Sequence, residues 1–105
     1  MKTLHQVSVP YDNLLPQQGR RVQAGSRELA VFRLEDGEVL CVENRCPHKG
    51  GSLAEGIVAG AHVYCTQHDW RICLRDGQAQ APDHGCVRTH PCRVEAGVVH
   101  IEVRP

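Results

Sequence analysis

Charge of either sign in excess is what this chain lacks first: 12 Lys and Arg side chains offset 12 Asp and Glu, and the formal net charge is zero. A global field drawing the protein to nucleic acid or to an anionic membrane is thereby excluded, so any docking patch is local. No apolar run approaches the length of a transmembrane helix. The stretch Met1-Lys2-Thr3-Leu4-His5-Gln6 also lacks the apolar segment of a signal peptide, and the expectation is a cytoplasmic protein. Internal repeats, low-complexity segments, linkers and a glycine-rich dinucleotide fingerprint are missing as well. With 105 residues the chain reads as one domain, 1–105, with little material for a second active site, which argues against a self-sufficient enzyme.

No window carries an apolar helical stripe over three turns, and what is present has the period of strands. Val99, Ile101 and Val103 alternate with His100, Glu102 and Arg104, as in a half-buried strand. Leu29 to Leu34 is apolar on nearly both faces and predicts a strand sandwiched inside the fold. Asp36-Gly37, Asp76-Gly77 and Ala96-Gly97 interrupt runs of Val, Leu and Ile, and each predicts a hairpin turn. Leu14-Leu15-Pro16 and Ser52-Leu53-Ala54-Glu55 are each expected to manage one helical turn, the first stopped by proline. The fold class is all-β, a small sandwich or barrel.

Two short stretches carry the chemistry. Cys46-Pro47-His48 and, sixteen residues later, Cys65-Thr66-Gln67-His68 each pair a cysteine with a histidine in what reads as a loop between strands. Thiolate holds iron or zinc strongly, and neutral imidazole completes the shell without adding negative charge. The spacing differs from common zinc patterns in which cysteine is paired with cysteine. One metal taking all four would give a Cys2His2 zinc site. Two irons sharing them would place both sulfurs on one iron and both nitrogens on the other.

The pattern Cys46-x-His48 with Cys65-x-x-His68 resembles the Rieske 2Fe-2S signature. Gly50, Gly51 and Leu53 resemble its first cluster loop, and His68-Asp69-Trp70 its second, although Asp69 stands where many Rieske ferredoxins have glycine. Ala81-Pro82-Asp83 corresponds to the proline loop that covers the cluster in the family, or Pro82 is an ordinary turn residue. The resemblance implies a Rieske-type fold in which two hairpin loops, within about residues 44–70, form a cluster-binding subdomain. Cys46, His48, Cys65 and His68 are its implied ligands. Lys49, beside them, is either a docking contact for an acidic partner or simply solvated.

With both irons ferric, such a cluster sums to zero charge and becomes minus one on reduction, so histidine ligation lifts the potential from about −400 mV into a window of roughly −150 to +300 mV. The Rieske proteins of respiratory complexes carry an extra disulfide-forming cysteine in each cluster loop. This chain has Gly51 and Gln67 there, which points to the ferredoxin-like branch. Trp70 replaces a hydroxyl donor, and the low half of the window is expected.

The segment Gly77 to Pro91, with Gln67 to Trp70 and Ile72-Cys73-Leu74, resembles the small subunit of assimilatory NAD(P)H-dependent nitrite reductase. That resemblance implies a partner subunit bearing siroheme, flavin and a further iron-sulfur centre, reducing nitrite to ammonium in nitrate assimilation. The ferredoxin component of an aromatic-ring dioxygenase system would use the same four ligands, and a structural zinc module would use them for another purpose.

Four cysteines remain. In a cytosolic chain Cys41, Cys73, Cys86 and Cys92 are expected to stay reduced and to pack as small hydrophobes. His84-Gly85-Cys86 and His90-Pro91-Cys92 imitate ligand pairs, but they lack the glycine-rich surround, and Val87-Arg88-Thr89 between them reads as strand. His5, His62 and His100 have weaker claims still.

Overall fold

The structure, a computed structural model, describes residues 5–25, 27–45, 52–65, 71–79 and 85–103. Among the described residues ten strands run in chain order: β1 His5–Pro10, β2 Gln18–Ala24, β3 Arg27–Arg33, β4 Val39–Glu43, β5 Ile57–Ala59, β6 His62–Tyr64, β7 Arg71–Cys73, β8 Thr89–His90, β9 Cys92–Glu95 and β10 Val98–Val103. They form three antiparallel sheets, ordered β1-β10-β9, β2-β3-β4-β8 and β5-β6-β7. The molecule is all-β, and helix among the described residues is limited to two 3-10 turns, Tyr11–Asn13 and Leu53–Glu55.

The doubly apolar run becomes β3, a central strand whose two faces feed two different cores. Because side chains alternate across a strand, Ala30 and Phe32 join Val42, Leu53, Val58, Val63, Ile72 and Leu74 on one side. Leu29 and Val31 join Leu14, Val39, Cys41, Val99 and Ile101 on the other. All four β3 side chains are fully buried. Burying a residue of the size of Leu, Val or Phe stabilises the fold by roughly 1.5–3 kcal/mol, so this strand ties together two otherwise separate hydrophobic clusters.

The alternation at the end of the chain is equally direct. Val99, Ile101 and Val103 of β10 are buried while Glu102 is exposed. Their strand pairs with β9 across a turn in which Ala96 and Gly97 both have positive φ, 52° and 78°. Such angles at both central residues match the right-handed twist of the flanking strands. Asp36-Gly37 lies in the β3–β4 turn, closed by the Gly37 N–H to the Leu34 carbonyl at 2.9 Å, and Asp76-Gly77 turns the chain after β7.

The first helical turn is displaced from its expected place. It occupies Tyr11–Asn13 rather than Leu14-Leu15-Pro16. Leu14 is extended instead, because its side chain is almost wholly buried against β3 and β10 residues while Leu15 stays 56% exposed. The second turn, Leu53–Glu55, falls where expected, with Leu53 and Ala54 buried. The expected strand at Val87 begins two residues later, at Thr89.

Candidate metal centre

Three chain segments converge at one end of the β5-β6-β7 sheet. The row Ile57, Tyr64 and Arg71 crosses that sheet as successive register partners. Tyr64 and Arg71 are the last pair before the connection 65–70, so the second Cys/His stretch lies in sequence between the paired strands β6 and β7. Ile57 follows the Leu53–Glu55 turn, which receives the chain from the first Cys/His stretch. Ala79 pairs with Ile72, next to Arg71, and its N–H donates to the Gly85 carbonyl at 2.9 Å, closing the feet of the segment that contains Pro82.

Of the four candidate ligands, Cys65 lies among the described residues. Its side chain is buried, 1% exposed, in the cluster of Val63, Ile72 and Leu74 at the foot of the hairpin connection. Cys46, His48 and His68 lie outside the described residues, as do Lys49, Gly50, Gly51, Asp69, Trp70 and Ala81-Pro82-Asp83. The donor set of two thiolates and two imidazoles suits iron of a Rieske cluster, and the buried position of Cys65 fits a ligand reached from the protein side.

The sheet end is packed so closely that one residue there must be glycine. A Cβ on Gly56 would lie 2.2 Å from the Tyr64 carbonyl oxygen and 2.9 Å from a Val63 methyl. Real Cβ atoms do not approach so near, so Gly56 lets the turn after Leu53–Glu55 lie directly on the strand that delivers Cys65.

Polar side chains hold the feet of the first stretch. Asn44, immediately after β4 and 7% exposed, donates from Nδ2 to Glu28 Oε1 and to Ser52 Oγ, both at 2.9 Å. Its Oδ1 accepts from the Ala54 N–H at 2.7 Å and from Ser52 Oγ at 3.2 Å. Next to it, Glu43 Oε1 accepts from Arg27 Nε at 3.1 Å, from Arg27 Nη2, and from His90 Nε2 at 2.8 Å. Burial lowers the His90 pKa from its ordinary value, outweighing the upward pull of Glu43. Sequence reasoning passed over Asn44 and Glu43; the signal it could have used is their place at the end of a strand, directly before the first Cys/His pair.

Of the two pairs that imitate ligands, His90-Pro91-Cys92 is described, while His84 lies outside the described residues. His90 is committed to Glu43, and Cys92 Sγ donates to the Val39 carbonyl at 3.1 Å. Among the described residues no group of three or more His, Cys, Asp or Glu side chains is arranged to hold a metal ion. The packing expectation holds for Cys41, which is buried in β4, and for the half-buried Cys73 and Cys92. It fails for Cys86, which is exposed because it sits on an isolated bridge to Gln78 outside both cores.

A three-sheet frame that ends in two Cys/His connections defines an iron-sulfur protein of the Rieske class. The Rieske 2Fe-2S domain family matches residues 5–91, and the chain belongs to that family. It is 35% identical over 91 residues to the 3-phenylpropionate/cinnamic acid dioxygenase ferredoxin subunit of Photorhabdus laumondii, covering 85% of this chain and 86% of that one. It is 33% identical over 97 residues to the 4beta-methylsterol monooxygenase of Methylococcus capsulatus, covering 82% of this chain but 26% of that much longer protein. Among solved structures, one provisionally described as the NADH-dependent nitrite reductase small subunit of Mycobacterium tuberculosis superposes with a TM-score of 0.87 at 26% identity, over 99% of both chains. Rieske domains are electron-transfer components of oxidoreductase systems. No helix among the described residues is long and apolar enough to cross a membrane.

Proposed function

We propose that this chain is a single-domain, cytoplasmic electron-transfer protein, the small subunit of an NAD(P)H-dependent nitrite reductase. In this reading Cys46 and Cys65 hold one iron of a 2Fe-2S cluster through sulfur, and His48 and His68 hold the other through one ring nitrogen each. The cluster supplies one-electron chemistry at a potential set by the mixed ligands. The protein's part is to fix the loop feet on a closed frame so that little geometry changes with oxidation state. The second ring nitrogens of the two histidines are left to solvent or to a partner.

The observation that carries the choice of partner is the superposition over 99% of both chains on the nitrite reductase small subunit. It is joined by the sequence resemblance from Gly77 to Pro91. The siroheme, flavin and additional iron-sulfur centre of this reading belong to the large subunit.

A second reading, the ferredoxin component of an aromatic-ring dioxygenase, is favoured by the 35% identity to the dioxygenase ferredoxin subunit over most of both chains. The deciding experiment incubates the purified, cluster-loaded protein with a siroheme nitrite reductase large subunit from the same cell. The subunits are expected to co-purify and to reduce nitrite to ammonium with NADH or NADPH. Failure to bind, together with electron transfer to an oxygenase from that cell, would replace the first reading with the second. A colourless protein holding one zinc and giving no EPR signal after reduction with dithionite would remove both.

A further inference from the structure

We infer that Asn44 is a positioning residue for the metal centre: its side-chain amide latches the two feet of the segment bearing Cys46 and His48 and so sets the geometry in which those ligands are presented. The inference rests on the reading of Cys46 and His48 as ligands.

The observations are specific to this side chain. Asn44 is two residues before Cys46, and Ser52 and Ala54 stand beyond His48 on the far foot. The amide is nearly buried, yet it makes four hydrogen bonds, one to Glu28 on β3 and three to Ser52 and Ala54. Both its atoms are used, the nitrogen as donor and the oxygen as acceptor, so no apolar isostere can replace it. A buried network that is fully satisfied specifies one geometry, whereas removing one member leaves buried partners unmatched.

The near foot is already fixed by backbone, since the Asn44 N–H donates to the Glu28 carbonyl at 2.9 Å. The far foot packs through Leu53 and Ala54. The side chain of Asn44 ties one to the other directly. Glu28 is braced from its other oxygen by Arg21 at 4.0 Å, and Arg21 also reaches Glu55 at 3.2 Å, so the latch is backed by a second, exposed link between the same two regions.

The test uses the cluster-loaded full chain and two readouts: the EPR spectrum of the reduced protein, and the half-life of the cluster in the presence of an iron chelator. Asn44→Ala is expected to broaden or shift the EPR features and to shorten the half-life about tenfold, the size of change that loss of a group orienting metal ligands produces. Ser52→Ala, which removes two of the four bonds, should shorten it less and serves if Asn44→Ala does not fold.

Rescue separates positioning from general destabilisation. Asn44→Asp alone sets a carboxylate against Glu28 and should be as poor as Asn44→Ala. Combined with Glu28→Gln, donor and acceptor are exchanged across the same contact, and the double variant should recover the wild-type spectrum and most of the half-life. Folded variants whose spectrum and half-life equal those of the wild type would overturn the latch. So would a double variant no better than Asn44→Asp. A wild-type protein without a Rieske spectrum would instead overturn the ligand assignment on which the latch depends.

Discussion

His90 Nε2 lies 2.8 Å from Glu43 Oε1, a hydrogen bond between a side chain wholly shielded from solvent and a carboxylate that also receives Arg27. Burial is the largest influence on the ring and lowers its pKa, with Arg27 and Arg88 acting in the same direction and Glu43 opposing. The folded ring therefore takes a proton less readily than the unfolded one. Stability from this group is fully present above the ordinary histidine value of 6.5 and is lost as pH falls below it toward the lowered folded value. Urea midpoints measured between about pH 8 and pH 5 should fall on the acid side, and His90→Gln should flatten part of that fall. A wild-type curve parallel to that of His90→Gln would contradict the assignment.

Replacing Gly56 by alanine should strike the metal centre more than the fold. The new Cβ would meet the Tyr64 carbonyl, one residue before Cys65, and something must shift. A loss of about 1–3 kcal/mol in stability is expected, with a lower iron content after purification. Gly60→Ala is the control: its φ of 61° costs about 1 kcal/mol, but a Cβ there meets nothing within 4 Å, and iron content should be unchanged. Iron per chain and the thermal midpoint, measured on both, check the contrast.

The non-ligand thiols should separate by reactivity. Burial, then the neighbouring Cys92 and Glu43, pushes the Cys41 thiol far above its ordinary range, and burial pushes Cys92 up to about 11. Thiolate is the attacking form, so both should resist iodoacetamide in the native protein while the exposed Cys86 is alkylated first. Peptide mass spectrometry over a time course reads this directly, and rapid labelling of Cys41 before unfolding would contradict it.

The midpoint potential is expected in the lower half of the window of roughly −150 to +300 mV. Trp70 brings no hydroxyl to the second Cys/His stretch, and Trp70→Ser should raise the potential. A redox titration followed by EPR checks both values; a wild-type midpoint well above about +100 mV would refute the reasoning.

What could be read from sequence followed from local periodicity. Leu29 to Phe32 announced a strand buried on two faces, and the alternation from Val99 to Val103 announced one buried on a single face, because each pattern maps onto burial residue by residue. The turn at Leu14 could not be read that way, since a distant core claims its side chain and leaves the turn to Tyr11–Asn13. The same limit hid Asn44 and Glu43. Their roles depend on Glu28, Ser52, Arg27 and His90, which the sheet brings beside them from separate parts of the chain. Cys86 was misjudged for a related reason: it was grouped with Cys41 and Cys73, which lie in apolar strand-like runs, but its own bridge partner Gln78 lies outside the cores.

β1 pairs with β10 from His5 opposite Val103 to Pro10 opposite Val98, so the first and last described strands complete one another. During synthesis the early strand has nothing to join until the late one has left the ribosome. Closure of this sheet therefore waits for the whole intervening chain and has a long loop to close, which slows folding relative to the local hairpins. Ending the chain at Gly97 would remove β10 and strip partners from β1 and β9 together, even though no candidate ligand is lost.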